Sequence, residues 1–436
     1  MSRLLLTKII IILTLVAQSY FYGLMKETFT IGGLPFFDVP IIVMGLYFLW
    51  CLPDIRKSIT MANIFVFIYL ILTTLIILSM PFREDVSLVN AFQTGRFYYL
   101  FLLSFVISDN IELSGGTHFI RKVIYSTGMY MTVVALINFV FPEFIDAFLP
   151  GIRSGFGDMK GDTLRNYVGS ILVVFVHMSF VLKLLSVLCN EDERKITDLL
   201  LVLLYFIGMY AVGARACLFS IVGASMCAYF FVANKLNSWG RFSGISQIRN
   251  VLTGLVILIV LNVLSGNIIF GLAESVINDI TGVSAKDNNT FQYREKRAMA
   301  YQIPQVMKSP IIGLGFIYKN SNAAKKYGFD STVASAWRSL YCVDFGYGTM
   351  WVTFGIIGSA IILFFILRSL LFCIRLSKDK VAEEILILPV ILLAFMVCNY
   401  TWAMLVSSSG VLVMSFAVGI TNHYVPIISK ESEENI

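Results

Sequence analysis

Residues 293–315, YREKRAMAYQIPQVMKSPIIGLG, hold the first group of side chains equipped for chemistry. On a helix at about 100° per residue, Arg294, Arg297, Tyr301 and Lys308 fall within about 60° of one another. Ile303, Val306 and Met307 take the opposite side, and Lys296 interrupts it. Pro304 predicts a kink or the start of a new helix. A guanidinium is a planar fork of donors that matches phosphate oxygens two at a time. The cationic face therefore suits a phosphate group; it equally suits an interfacial helix whose cations meet lipid headgroups.

Three further stretches carry candidates. Arg215 lies in VGARAC (212–217), a turn between two apolar runs too short to carry its side chain far from either. Arginine within a bilayer costs about 2.5–3.5 kcal/mol at the centre and less near the edge. That cost calls for an anionic partner, protein carboxylate or ligand, unless the side chain snorkels outward. Residues 142–165 add Arg153, Lys160 and Arg165 among glycines 151, 155, 157 and 161. Such glycines let backbone approach a ligand, and equally suit a plain surface loop. In SAWRSLYCVDFGYGTMWVTFGIIG (335–358), Arg338, Tyr341 and Asp344 recur at three-residue spacing. Asp344 could accept a hydroxyl proton, pair with an arginine, or start a helix whose N-terminus favours a carboxylate.

The elements that must position these groups are membrane helices. Of 436 residues, 58% are hydrophobic and 14% charged, with a mean hydropathy of +0.81. The apolar residues gather in runs of roughly 17–25, the length that spans hydrocarbon. An all-α, polytopic membrane protein is predicted, with twelve spans near 4–24, 37–53, 61–80, 94–109, 120–141, 166–189, 197–213, 216–233, 250–271, 346–371, 383–400 and 404–424. Residues 1–271 thus form nine spans, 272–345 one large external loop, and 346–436 the last three spans with a short polar tail. The first run resembles a signal peptide, but its length and weak cleavage pattern favour an uncleaved helix.

With the N-terminus in the cytoplasm, 17 of the 33 Lys and Arg fall inside. Nine of the other 16 lie in the one long loop, from Lys286 to Arg338, and long loops cross largely regardless of charge. The comparison that sets orientation is therefore 17 against seven, which puts both termini inside. Six of the seven cysteines lie in or beside apolar runs, with no spacing that suggests a disulfide frame or a zinc site. No basic block stands apart from the spans, which argues against nucleic-acid binding. Arg153, Arg215, Arg294 and Arg297 would share the outer face, where arginines beside apolar walls suit a diphosphate head on a long lipid tail.

These motifs, in this order, resemble those of the O-antigen polymerase and ligase superfamily. The stretch from Arg294 to SPIIGLG resembles its loop signature of an arginine followed by P-x-x-G-x-G. VDFGYGTMWVTFGIIG resembles the D-x-G-Y and G-I-I-G that follow. GARAC resembles the small-residue-plus-arginine turn, and IRSGFGD (152–158) the preceding arginine–glycine loop. The likeness covers the topology and about 150 residues, and each motif by itself is loose.

The resemblance implies an inverting, metal-independent glycosyltransferase of the GT-C-like, integral-membrane kind, without a cofactor. It would act on the periplasmic side of the bacterial inner membrane. Its donor would be a glycan on undecaprenyl diphosphate, and a chain-length regulator protein is an expected partner. By motif match, Arg215 and either Arg294 or Arg297 would bind or activate the diphosphate. Asp344 is the candidate general base, and Arg153, Arg165, Tyr301, Arg338 and Tyr341 are candidate substrate-binding residues. The ligases carry a histidine in the large loop. Here the histidines are His118, His177 and His423, none of which falls in that loop. This favours polymerisation onto the next lipid-linked repeat over ligation to lipid A-core. A twelve-span transporter or flippase is the alternative from another class, but its ionisable groups would sit near the midplane, with repeated halves.

Overall fold

The computed structural model describes residues 2–25, 30–31, 34–55, 61–141, 144, 148–149, 153–156, 166–169, 171–189, 196–211, 220–227, 298–318, 321–327, 346–374, 383–399 and 404–434. The described residues are all-α apart from two short hairpins. The helices are α1 (Arg3–Gln18), α2 (Val39–Ile55), α3 (Met61–Glu84), α4 (Leu88–Gly95), α5 (Leu103–Ser114), α6 (His118–Val140), α7 (Val174–Cys189), α8 (Ile196–Ala211), α9 (Ile303–Lys308), α10 (Asn322–Lys326), α11 (Gly346–Ile374), α12 (Glu383–Cys398) and α13 (Ser408–Glu434). Residues 220–227 are also helical. Antiparallel ladders join β1 (Thr30–Ile31) to β2 (Leu34–Pro35), and β3 (Arg153–Phe156) to β4 (Asn166–Gly169).

Among the described residues, three helices are long and apolar enough to cross a membrane: Asn63–Glu84, His118–Asn138 and Gly346–Arg368. Shorter apolar helices include Phe36–Cys51, Ile171–Val187, Ile196–Ala211, Leu386–Cys398 and Ser408–Asn422. The eighth expected span is described only at 220–227, and the ninth lies outside the described residues. Helix α5 packs along α1 and α13; α6, α7 and α8 pack together; α12 bridges α7, α11 and α13; α3 lies against α11.

Several boundaries differ from those the hydropathy suggests. The first helix stops at Gln18, and Tyr20, Phe21, Tyr22 and Gly23 follow with positive φ. The expected fourth span is a 3-10 segment over Arg96–Leu102 leading into α5. At three residues per turn Tyr98 and Phe101 stack on one side, where both meet Tyr69 of α3 (ring centroids 6.0 and 4.8 Å). The sixth span begins near 171, because residues 166–169 are used by the β3–β4 hairpin. Helix α13 continues through the polar tail to Glu434.

The chain path sorts the helix ends into two sets. Gln18 Nε2 donates to the Phe37 carbonyl (3.2 Å), and Arg96 pairs with Asp38 (2.6 Å). The end of α1, the start of α2, the end of α3 and α4 therefore share one end of the bundle. At the opposite end Arg3 forms a two-pronged pair with Asp109 (2.9 and 2.7 Å), and Lys8 lies 5.2 Å over the Phe119 ring.

Candidate functional site

The chemistry-bearing loop docks where α11 is broken. Gly355 has φ 65° and ψ −174°, so the helix ladder cannot pass through it. An unbroken helix would pair the Ile356 N–H with the Val352 carbonyl, four residues back. Instead Ile356 N donates to the Pro310 carbonyl (2.8 Å) and Ile357 N to the Ile311 carbonyl (3.2 Å). The freed Val352 carbonyl accepts from Leu314 N (2.7 Å). Residues 310–314 thus supply the partners that the broken turn lacks, which backbone away from water requires. SPIIGLG and FGIIG, far apart in sequence, are two halves of one backbone joint.

Only glycine fits the joint. Gly313 has φ 72°, and a Cβ there would stand 2.5 Å from Gly355 N. Gly313 N closes the turn to the Ser309 carbonyl (2.9 Å), and Ser309 Oγ returns a bond to the Gly313 carbonyl (2.8 Å). That carbonyl also accepts from Arg83 Nη2 at the end of α3. Trp351 Nε1 donates to the Pro310 carbonyl (3.2 Å).

Phe316 follows the turn into the core. It lies 5.7 Å from Tyr98 and 6.2 Å from Phe354, centroid to centroid. Its ring covers Gly95, where a Cβ would come within 2.7 Å. Tyr98 and Tyr69 anchor the cluster by donating to the Val406 and Leu405 carbonyls (3.4 and 3.2 Å).

A charged group rims the joint. Tyr327, just after α10, donates to Glu84 Oε2 (2.7 Å), and Lys326 Nζ lies 3.5 Å from the same oxygen. Lys308 Nζ sits 4.8 Å over the Tyr327 ring. Desolvation pushes the Tyr327 phenol above its usual range; the Glu84 carboxylate adds to this and Arg83 opposes it. Tyr327 is therefore a hydrogen-bond donor at neutral pH. Arg83 and Glu84 fall in PFRED at the end of an apolar run, where they read only as flanking charge.

Most of the residues singled out by sequence lie outside the described residues: Arg215, Arg294, Arg297, Asp344, Arg165, Arg338 and Tyr341. Arg153 is described at the backbone, where it pairs with Gly169 in the β3–β4 ladder. Tyr301 is described at the backbone of a π-turn over Ala298–Gln302. Pro304 stands in the first turn of α9, where its missing N–H costs nothing, so it starts a helix. The buried side of this segment is only in part the apolar set the helix wheel suggests. Val306 and Gln302 are buried, whereas Met307 and Met299 are exposed. Gln302 turns inward because Nε2 donates to Thr349 Oγ1 (3.3 Å) in the first turns of α11. This bond joins the segment that follows Arg297 in sequence to the one that follows Asp344. Gly346 N, at the start of α11, is tied in turn to the Asn399 carbonyl (2.8 Å).

No protein-family model matches the chain, and no curated protein matches it either.

Proposed function

We propose that the chain is an O-antigen, or related surface-polysaccharide, polymerase of the bacterial inner membrane. It would cross the membrane twelve times with both termini in the cytoplasm. The observation that supports this reading best is the backbone joint between SPIIGLG and FGIIG, continued by the Gln302–Thr349 bond. Both halves of the joint come from segments whose likeness to the superfamily was drawn from sequence. Two stretches with independent roles would not need to complete one another's backbone.

In this reading the joint is the rigid footing of a periplasmic active site. Arg215 and Arg294 or Arg297 hold the diphosphate of the undecaprenyl-linked donor and neutralise the charge that grows on it as it leaves. Arg153, Arg165, Tyr301, Arg338 and Tyr341 orient the glycans. A hydroxyl at the non-reducing end of the next lipid-linked repeat attacks the anomeric carbon opposite the departing diphosphate, inverting it. Asp344 takes the hydroxyl proton. Diphosphate is already a good leaving group, so positioning and fixed charge supply most of the acceleration, without a metal ion.

The deciding experiment is reconstitution of the purified chain with lipid-linked repeat unit, followed by mass analysis. Products that grow by whole repeats support the assignment; unchanged substrate refutes it. Products appearing only when lipid A-core is added would make the enzyme a ligase. Arg215→Glu and Arg294→Glu should each reduce the products to a single repeat, and normal chain lengths in both would refute the site.

A further inference from the structure

A second cluster of basic side chains lies at the opposite end of the bundle. Arg121 and Lys122 of α6, Lys183 of α7 and His118 at the start of α6 line a cavity of about 920 Å³. Its walls are completed by Tyr125 and Met129 of α6 and by Leu201 and Tyr205 of α8. The volume falls within the roughly 300–1,000 Å³ common for small-ligand sites. Its end of the bundle is that of Arg3, since only three residues separate the end of α5 from the start of α6 and Lys8 covers Phe119.

We propose that this cavity binds the phosphate headgroup of an anionic membrane lipid. Three observations carry the proposal. First, the described lining contains basic side chains and no carboxylate; the nearby Asp198 pairs with Lys183 (2.6 Å). Second, Gly116, Thr117 and His118 bring the start of a 23-residue helix to the cavity. The positive end of its dipole favours an anion there. Third, the wall is amphipathic. Lys183 leans over the Tyr125 ring at 5.8 Å, and Met129 and Leu201 lie beside it. The neighbouring surface of α8 exposes Ile196, Leu199 and Leu200, a face suited to acyl chains. A soluble anion needs the charge alone, whereas a lipid uses both the charge and the apolar flank. Basic pockets between membrane helices at a cytoplasmic surface have this character. The site requires only that the bundle spans a membrane, and not the polymerase activity.

The test is native mass spectrometry of the full chain in detergent, titrated separately with phosphatidylglycerol, phosphatidylcholine and glycerol 3-phosphate. Phosphatidylglycerol should be retained in preference to phosphatidylcholine. The double variant Arg121→Gln/Lys122→Gln should lose about 25-fold in that affinity, each basic group near the headgroup contributing roughly five-fold. Met129→Trp, which fills the cavity at constant charge, should weaken retention too, and it keeps the test decisive if the double variant fails to fold. Arg56→Gln/Lys57→Gln, a basic pair elsewhere in the chain, should retain phosphatidylglycerol normally. Equal retention of the two lipids, or an equal loss in the control pair, overturns the proposal. Glycerol 3-phosphate bound as tightly as phosphatidylglycerol would mark a soluble phosphate ester as the ligand and overturn the lipid assignment.

Discussion

Individual atoms decide whether the loop can sit on α11. At Gly313 and Gly355 a methyl group would meet backbone, which cannot move aside as a flexible side chain would, and both positions have positive φ. Gly355→Ala should destabilise the protein by roughly 1–3 kcal/mol, the usual size of a strained backbone position. A lowered melting temperature in detergent checks this. Arg83 donates a charge-assisted bond to the Gly313 carbonyl. Arg83→Gln should weaken docking by about 1.5–3 kcal/mol, seen as faster amide exchange at 310–314. Tyr327 supplies a pH signature. Its folded pKa is raised above the ordinary 10.0 by burial and Glu84. The stabilisation it brings is therefore fully present below pH 10 and is lost as pH rises through the folded value. The melting temperature of the wild type should fall more steeply above pH 10 than that of Tyr327→Phe. Parallel curves would show that the Glu84 contact adds no stability.

At the scale of elements, α11 is a helix whose break is completed by a distant loop, and Phe316 is the plug that locks the two together. The ring fills space between Gly95, Tyr98 and Phe354. Phe316→Ala should cost about 3–5 kcal/mol through lost burial and the cavity left behind. The same variant should release residues 309–318 to protease while leaving the pairing of α5 with α13 intact. Protection of that segment at wild-type levels would show that the backbone bonds alone hold it. The 3-10 segment over Arg96–Leu102 belongs to the same device. Its three-residue repeat sets Tyr98 and Phe101 directly one above the other against α3, where a regular helix would leave them about 60° apart.

The molecule as a whole is an apolar bundle with different chemistry at its two ends. One end carries the glycine joint and the Arg83, Glu84, Tyr327 and Lys326 group; the other carries the Arg3–Asp109 pair and the basic cavity. Orientation belongs to this scale. Reporter fusions active only outside the cytoplasm should work when placed within residues 272–345. They should fail when placed at residues 190–195 or after Ile436. The reverse pattern would place the joint in the cytoplasm and end the polymerase reading.

By itself the sequence determined that the chain is helical and that its helices include ones apolar and long enough to cross a membrane. Runs of apolar side chains leave the backbone no partner but itself, and that outcome depends on composition and length more than on neighbours. It also marked SPIIGLG and FGIIG as segments of interest. It could not show that each completes the other, because Gly355 reads as an ordinary small residue within a long apolar run. Whether a helix breaks there depends on bond partners about forty residues away, at 310–314. Arg83, Glu84 and Tyr327 were hidden for the same reason. Their meaning lies in one carbonyl and one phenol brought to them by the fold, and local spacing carries no trace of contacts made across more than two hundred residues.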